Sequence, residues 1–433
     1  MKKTVLLFSI LLSSLLIKAQ ETIVISKDEV ISKVAEGNNT LKMFEKDLTA
    51  AKGDLGQTNA VFLPNITVSY SGIATTNPLM AFGSKLNQEI LTQSDFDPRL
   101  LNNPSQIENF ATKFEVQQPL LNLDGIHQRK AAKAKMYASQ FQLERIKDFL
   151  DLEVEKAYMQ LQLAYKTRGV LEIALKAALD NKRLADNSYK QGYLQKADVL
   201  AIEVRVTDVE NQLQYANSNI INASNYVSLL INDTYYPIWK PADSLIISSE
   251  VIESKTLSES RSDLQAMQNV SEAYRQVYKA DKMTFLPRLN AFGSFELYDD
   301  KIFQADANGY LFGAQLSWNL LEGTKRFGKA KKSKAVFERS QLEYEQYKSE
   351  SQVELNRAKR MFLDAKNNLK LTNLALEQSK EALRIRKNRF EEGLERTSDL
   401  LMAETQYAQK QLEYYATIYE HNYALAYVQF LTK

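Results

Sequence analysis

Two acidic positions recur at a constant spacing along the chain. Asp198 and Glu203 return near the C-terminus as Asp399 and Glu404, since 399 − 198 and 404 − 203 both equal 201. In each copy the aspartate falls where a helical pattern resumes. A carboxylate there can accept hydrogen bonds from free backbone N–H groups and suits the positive end of the helix dipole. The chemistry open to these residues is therefore helix capping or recognition of cations.

Side chains suited to catalysis or metal binding are scarce. His127 and His421 are the only histidines, and neither has a histidine four residues away, so the spacing lacks a zinc signature. The chain has no cysteine, no Gly-x-Ser-x-Gly motif and no phosphate-binding loop. Its other acidic residues fall on helix faces, where solvated ion pairs are expected. We expect no enzyme, no metal site and no cofactor.

Each acidic pair follows a glycine at which a long helical pattern reverses. Gly192 and Gly393 are also 201 residues apart, and each lies six residues before its aspartate. Glycine tolerates a positive φ without a Cβ clash and commonly ends helices. We therefore predict two helical hairpins, in which each long helix is followed by a shorter return helix.

The N-terminus has the pattern of a secretory signal peptide over residues 1–19. Lys2 and Lys3 precede an apolar run from Val5 to Ile17, and Ala19 precedes the expected cleavage site. Cleavage removes three lysines, so the formal charge changes from +2 to −1 (2 − 3). A near-neutral exported chain argues against nucleic acid as a partner. The absence of cysteine excludes a lipid-modified N-terminal cysteine.

Four segments change from helical to two-residue periodicity, which is typical of strands. Two of them follow a Phe-Leu-Pro sequence, because proline disfavours helix in the residue before it. Each half is expected to contribute two strands of about 10 residues, the length of a tilted strand that crosses a bilayer. The two-residue alternation runs through Ile66–Ser71, Phe110–Gln118, Leu289–Leu297 and Tyr310–Trp318.

The order of elements divides the exported chain into two related halves. Residues 20–231 form the first repeat, residues 232–258 a proline-containing connector, and residues 259–433 the second repeat. Each repeat has the order helix, strand, strand, long helix, return helix. Residues 75–109, between the first two strands, are rich in Pro, Asn, Ser and Asp. They predict an irregular polar loop, with a gate at the cell surface as the alternative.

Four strands cannot close a barrel, and open sheet edges are not tolerated in lipid. Cyclic symmetry solves this problem, since three chains supply about 12 strands. The predicted fold class is mainly α with a small β part. Long antiparallel helical hairpins form a trimeric α-barrel tunnel, and four strands per chain contribute to a shared 12-stranded transmembrane β-barrel.

These features resemble the TolC-type outer-membrane efflux proteins. The resemblance is carried by the Phe-Leu-Pro transitions, the Leu-Leu…Gly exits from the strands, and the hairpins Tyr189-x-x-Gly192-x5-Asp198 and Phe390-x-x-Gly393-x5-Asp399. It implies a homotrimer in outer-membrane lipid, with the helical part in the periplasm. It also implies docking to a periplasmic adaptor (membrane fusion) protein and an inner-membrane pump.

The resemblance also assigns roles to particular residues. The periplasmic aperture is expected to be lined by Tyr189, Asp198, Glu203, Phe390, Arg396, Asp399 and Glu404. Adaptor docking is expected at Gly192, Leu194, Gly393 and Leu394, and a membrane girdle at Tyr310 and Trp318. The pattern departs from the family where Phe390 replaces a tyrosine, Met402 replaces an aspartate, and Arg396 lies one residue late.

The predicted function is passive export through an outer-membrane conduit of a tripartite efflux or type I secretion system. Small molecules or polypeptides would be delivered by the inner-membrane pump through the adaptor. The alternative from another class is a periplasmic coiled-coil scaffold or adaptor protein without a pore. Strands of bilayer length favour the channel.

Overall fold

The computed structural model describes residues 22–249 and 256–433. The predicted signal peptide and part of the connector lie outside the described residues. The described chain divides into two compact units. We call them the helical unit, residues 22–46, 142–264 and 346–433, and the strand unit, residues 47–141 and 265–345.

The elements of the first half begin with a short strand and two helices and end with a long helical hairpin. They are β1 (Thr22–Ile25), α1 (Lys27–Gly37), α2 (Asn39–Gln57), β2 (Asn65–Thr75), α3 (Pro78–Asn87), α4 (Pro98–Asn102), β3 (Ile107–Leu121), α5 (Leu123–Lys190) and α6 (Lys196–Ile231). The second half comprises β4 (Ile238–Pro241), α7 (Ser262–Met283), β5 (Arg288–Asp299), β6 (Ala307–Ser317), α8 (Lys325–Glu391) and α9 (Thr397–Thr432).

The strand unit contains a four-stranded antiparallel sheet in the order β2-β3-β5-β6. Its registers align apolar residues across all four strands, for example Val68 with Phe114, Phe114 with Phe295 and Phe295 with Tyr310. The opposite face carries the charged cluster in which Lys113 lies 3.4 Å from both Glu115 and Glu296. The sheet therefore has an apolar and a polar face, as the alternation in the sequence predicts.

Ion pairs fix the points where strands and helices meet in the strand unit. Arg288, the first residue of β5, forms a bidentate ion pair with the buried carboxylate of Asp124 at the start of α5. Lys329 of α8 lies 2.9 Å from Asp281 of α7. The guanidinium of Arg326 lies over the ring of Phe285 and donates to the carbonyl of Thr284 at 3.0 Å.

The helical unit is held together by apolar residues at three- and four-residue steps. In the first long helix, α5, Leu150, Val154, Ala157 and Leu161 recur at such steps and are at most 6% exposed. A small parallel sheet pairs β1 with β4, and Trp239 of β4 donates its indole N–H to Ser228 at 2.8 Å. Across the described residues, no helix is both long enough and apolar enough to span a membrane.

Apolar residues recur at three- and four-residue steps throughout residues 26–62, which predicts a single helix, but Asn38 divides this segment into α1 and α2. Its amide nitrogen donates to the carbonyl of Leu230 at 2.8 Å, and its amide oxygen accepts from the backbone N–H of Leu41 at 3.1 Å. These bonds use a side chain that is only 6% exposed. The helical periodicity continues across this break, which is why the sequence pattern predicted one helix where there are two.

The prediction of an irregular polar loop for residues 75–109 is wrong. Pro78 and Pro98 begin α3 and α4, and Asn77 and Asp97 cap them by accepting backbone hydrogen bonds. Proline breaks a helix interior but suits the first helical position, where its N–H would have no partner. The buried Gln88 ties the segment to the sheet, because its amide donates to carbonyls in both β3 and β5. The segment is therefore an ordered part of the strand unit.

Candidate aperture and docking site at the two helical hairpins

The first hairpin joins α5 to α6 through a glycine in the left-handed region. Gly192 has φ +80° and donates its N–H to the carbonyl of Tyr189 at 3.0 Å, while Tyr193 donates to Ser188 at 2.9 Å. This pair of bonds satisfies carbonyl groups that the end of α5 leaves free. The ammonium of Lys196 lies 5.8 Å from the centre of the Tyr189 ring. The most exposed large side chain of this tip is Tyr193, at 82%.

The second hairpin repeats the same backbone between α8 and α9. Gly393 has φ +75°, donates to Phe390 at 3.0 Å, and precedes Leu394, which donates to Arg389 at 2.8 Å. Leu394 is 65% exposed. The two predicted glycine reversals are therefore present, with the same hydrogen bonds at positions 201 residues apart.

The hairpins differ in what lies beneath the turn. Leu194 packs against an apolar cluster that includes Ala185 and Val199. The residue 201 positions later is Glu395, whose side chain is only 10% exposed and lies 2.7 Å from Arg386 and 2.9 Å from Arg389. An apolar contact in the first hairpin is thus replaced by an ion cluster in the second.

The two repeated aspartates lie in the first turn of their helices, three residues after the N-cap. The N-cap residues are Gln195 and Arg396, and neither forms a capping hydrogen bond through its side chain. The side chains of Asp198 and Asp399 therefore act through the helix dipole rather than as N-caps. The carboxylate of Asp399 also lies 3.9 Å from the guanidinium of Arg386.

The two repeated glutamates have different surroundings. Glu203 lies 3.3 Å from Lys182, with both side chains more than a third exposed. Glu404 accepts a hydrogen bond from Asn181 at 2.7 Å. Burial raises the pKa of the Glu404 carboxyl, against the opposing effects of Asn181 and the nearby Arg205. Glu404 is therefore a contact between α9 and α5 within the helical unit.

The sequence matches the family profile described as outer membrane efflux protein over residues 30–233 and 254–429. The chain belongs to the outer membrane efflux protein family. This efflux protein is therefore located in the outer membrane and serves as an efflux conduit. Its family is one of transport proteins rather than enzymes.

Solved membrane proteins of three bacteria share its fold. A membrane protein from Pseudomonas aeruginosa has a TM-score of 0.81 at 16% identity, covering 94% of this chain and 93% of that chain. VceC from Vibrio cholerae has a TM-score of 0.78 at 16% identity, covering 94% and 96%. MtrE from Neisseria gonorrhoeae has a TM-score of 0.79 at 16% identity, covering 94% and 88%. A search of curated proteins returned no match.

The expected girdle residues of this efflux protein lie at both ends of β6. Tyr310 is 77% exposed and stacks on Phe312 with ring centres 6.1 Å apart. Trp318 lies one residue beyond the end of β6, not within it, and its indole donates to the carbonyl of Phe285 at 3.0 Å. Both side chains expose aromatic surface beside a polar group, as residues at a membrane–water interface do.

Neither histidine forms part of a metal-binding group. His127 bonds Gln276 at 2.8 Å in the strand unit, and His421 is buried beside Phe362 in the helical unit. Among the described residues, no cluster of His, Asp or Glu has the geometry to hold a metal ion.

Sequence reasoning missed Glu395 and its two arginines. It assigned a role to Arg396, which stands at the N-cap of α9 with an exposed side chain. Arg386 and Arg389 lie seven and four residues before Gly393, so one turn of helix separates them. Two cations on one helical face, followed by a carboxylate just after the reversal, are a signal that could have found this cluster.

Proposed function

We propose that this efflux protein is a homotrimeric conduit whose three sheets close a common 12-stranded barrel. Material delivered by an inner-membrane pump through a periplasmic adaptor would cross the outer membrane passively through it. The observation that carries the proposal is the sheet itself: among the described residues, β2 pairs only with β3 and β6 only with β5, so the outer edge of each strand is unpaired. Open edges in lipid leave backbone groups unpaired, at a cost of several kcal/mol each.

The strand directions suit such closure. All three pairings in the sheet are antiparallel, so β6 runs opposite to β2. The β6 of one protomer can therefore pair with the β2 of the next in the same antiparallel manner. A ring built in this way from three even-stranded sheets has no remaining edge.

The two faces of the sheet fit opposite sides of a barrel wall. Ile66, Val68, Tyr310 and Phe312 lie on the apolar face, and each is at least 60% exposed in the single chain. Lipid would cover this surface in the assembly. The face that carries the Lys113 cluster would line the lumen, since barrels of this class alternate apolar and polar residues between lipid and interior.

The hairpins fit the role of an aperture and a docking site. Each copy places an acidic residue, Asp198 or Asp399, in the first turn after the reversal. A threefold ring of such carboxylates would favour cations over anions. The tips also carry exposed apolar side chains, Tyr193 and Leu394, which an adaptor could cover. Partner binding would then shift the aperture between closed and open populations.

The natural absence of cysteine allows a direct test of closure. Ser69→Cys in β2 is combined in turn with Gly313→Cys, Gln315→Cys or Ser317→Cys in β6, since only the register between protomers is free. We expect one combination to give disulfide-linked dimers and trimers under oxidation. The control pair Ser71→Cys with Ala111→Cys, which are partners in the sheet, should give an intrachain bond only. A monomeric product from all three test pairs would contradict the shared barrel.

Docking is tested by photo-crosslinkers at the tips. A crosslinker at position 193 or 394 should capture a co-expressed periplasmic adaptor. A crosslinker in place of Leu342, which is 71% exposed in the strand unit, should not. Equal capture at all three positions, or no capture at the tips, would indicate that the hairpins are simple turns that bind no adaptor.

A further inference from the structure

Two clusters of cationic residues lie at the starts of the long helices in the strand unit. Residues 325–334 at the start of α8 include six lysines and arginines and no acidic residue, although the whole chain is nearly balanced with 55 cationic and 53 acidic residues. Residues 129–135 of α5 hold four cationic residues and no acidic one. Lys130 and Lys133 are matched by Lys331 and Lys334 at the 201-residue spacing of the repeats. The feature therefore belongs to both halves.

Contacts within the chain account for only some of these charges. Lys325 pairs with Glu322, Lys329 with Asp281 and Lys334 with Glu338. A second set of lysines is exposed and has no acidic partner within the described ranges 22–249 and 256–433; it comprises Lys130, Lys133, Lys135, Lys331 and Lys332. We call this second set the unpaired lysines. The like charges of these lysines repel one another, so packing within the single chain does not explain why they are clustered.

Exposed apolar side chains immediately precede both clusters. Leu120 and Leu121 end β3 and are 55% and 39% exposed. After β6, Leu320 and Leu321 are 71% and 78% exposed, and Phe327 is 64% exposed within the cationic run itself. Each half thus passes from strand to exposed apolar residues and then to lysines within a few residues. This order matches the passage from hydrocarbon through the interface to the charged head groups.

The distances agree with the thickness of a head-group layer. Lys130 lies seven residues after Leu123, where α5 begins, and Lys331 lies six residues after Lys325, where α8 begins. At about 1.5 Å per residue, these offsets put the lysine Cα atoms roughly 10 Å along the helices. Side chains on a helix tilt back towards its N-terminus, so the ammonium groups reach towards the strands. The head-group region adds roughly 5–8 Å on each side of the hydrocarbon core.

We propose that the unpaired lysines bind the phosphates of anionic phospholipids in the periplasmic leaflet of the outer membrane. The neighbouring leucines and Phe327 would contact the upper part of the acyl chains. The inference rests on the proposed barrel, since that barrel sets the level of the head groups. Each lysine near an anionic surface contributes about fivefold in affinity at moderate salt. Four of the five unpaired lysines would together give a preference of about 600-fold over a zwitterionic lipid if their contributions multiply.

Native mass spectrometry of the full-length protein in detergent tests the proposal. Dioleoyl phosphatidylglycerol is titrated against dioleoyl phosphatidylcholine, which has the same acyl chains. We expect a strong preference for phosphatidylglycerol in the natural protein. The preference should be lost in the variant K130Q/K135Q/K331Q/K332Q and at about 1 M salt, where the Debye length is roughly 3 Å. Competition by inorganic phosphate at 10 mM should not remove it, because the free anion lacks the acyl contacts.

The matched control removes the same charge from the helical unit. The variant K190Q/K366Q/K370Q/K380Q loses four exposed lysines and should keep the natural preference. Equal preferences in the two variants, or no preference in the natural protein, would overturn the proposal. The proposal would also be overturned if substituting the unpaired lysines changed the ion selectivity of the channel but not its lipid binding, because these lysines would then face the lumen.

Failure of the lipid proposal is separable from failure of the proposed function. Trimer content and channel conductance are measured on the same samples. Conducting trimers that show no lipid preference would refute only the role of the unpaired lysines. A protein that never forms trimers would refute the shared barrel first.

Discussion

The ion cluster beneath the second hairpin predicts that removing its negative charge will destabilise this hairpin locally. Replacing Glu395 by glutamine removes the negative charge that Arg386 and Arg389 hold at 2.7 and 2.9 Å. The glutamine keeps the size of the side chain, so the change isolates the charge. The equivalent residue of the first hairpin is Leu194, whose contacts are apolar. Only the second hairpin should therefore respond.

The free energy lost in Glu395→Gln can be estimated from the exposure of the three side chains. Hydrogen bonds to charged groups contribute about 1.5–3 kcal/mol when shielded, whereas exposed ion pairs contribute about 0–1 kcal/mol. The carboxylate is 10% exposed, but the guanidinium groups of Arg386 and Arg389 are 44% and 57% exposed. A loss of about 1–2 kcal/mol is therefore expected, since water can solvate the arginines afterwards. This loss raises the opened population of the hairpin by roughly 5- to 30-fold.

Hydrogen–deuterium exchange of the backbone amides in residues 386–400 measures that population. Exchange of these amides should accelerate by the same factor, while the amides of residues 185–199 stay unchanged. The matched control is Glu203→Gln, which removes an exposed pair with Lys182 and should change exchange by less than about fivefold. Salt at about 1 M should accelerate exchange in the second hairpin of the natural protein but not in the second hairpin of Glu395→Gln. Unchanged exchange at residues 386–400 in Glu395→Gln would refute the reasoning.

Three further predictions concern single side chains. Glu404→Gln should stabilise the protein by up to about 1 kcal/mol at pH 7 and have no effect below about pH 4, as measured by thermal unfolding across this pH range. Burial raises the pKa of the Glu404 carboxyl, so the folded protein loses stability when the pH rises through that pKa and the buried carboxyl ionises. Gly393→Ala should cost about 1–2 kcal/mol because φ is +75° there, and the control Gly53→Ala, in a helix with open space around it, should be neutral or stabilising by up to about 1 kcal/mol in denaturant unfolding. Gln88→Ala should make residues 76–106 more sensitive to limited proteolysis, because it removes three hydrogen bonds of a buried amide.

The helices and strands were largely readable from the sequence. The return helix predicted after Gly192 is observed as α6, Lys196–Ile231, because its apolar spacing and the glycine before it are local signals. The sheet faces were predicted for the same reason, since alternation needs no knowledge of the partner strand. The ordered segment between β2 and β3 was missed, because Pro78 and Pro98 were interpreted as breakers rather than as first helical residues.

The sequence by itself determined the positions of both reversals and the alternation of the strands, since each depends on residues a few positions apart. It also determined the repeat, since the same residue types recur 201 positions later. The tertiary structure decided which residues at those positions meet. It paired Glu395 with Arg386, buried Glu404 against Asn181, and placed Leu194 in an apolar cluster. The contact between Glu404 and Asn181 joins two helices at positions 223 residues apart in the sequence. Periodicity shows which face of a helix is covered, but the partner is set by how the helices pack in three dimensions.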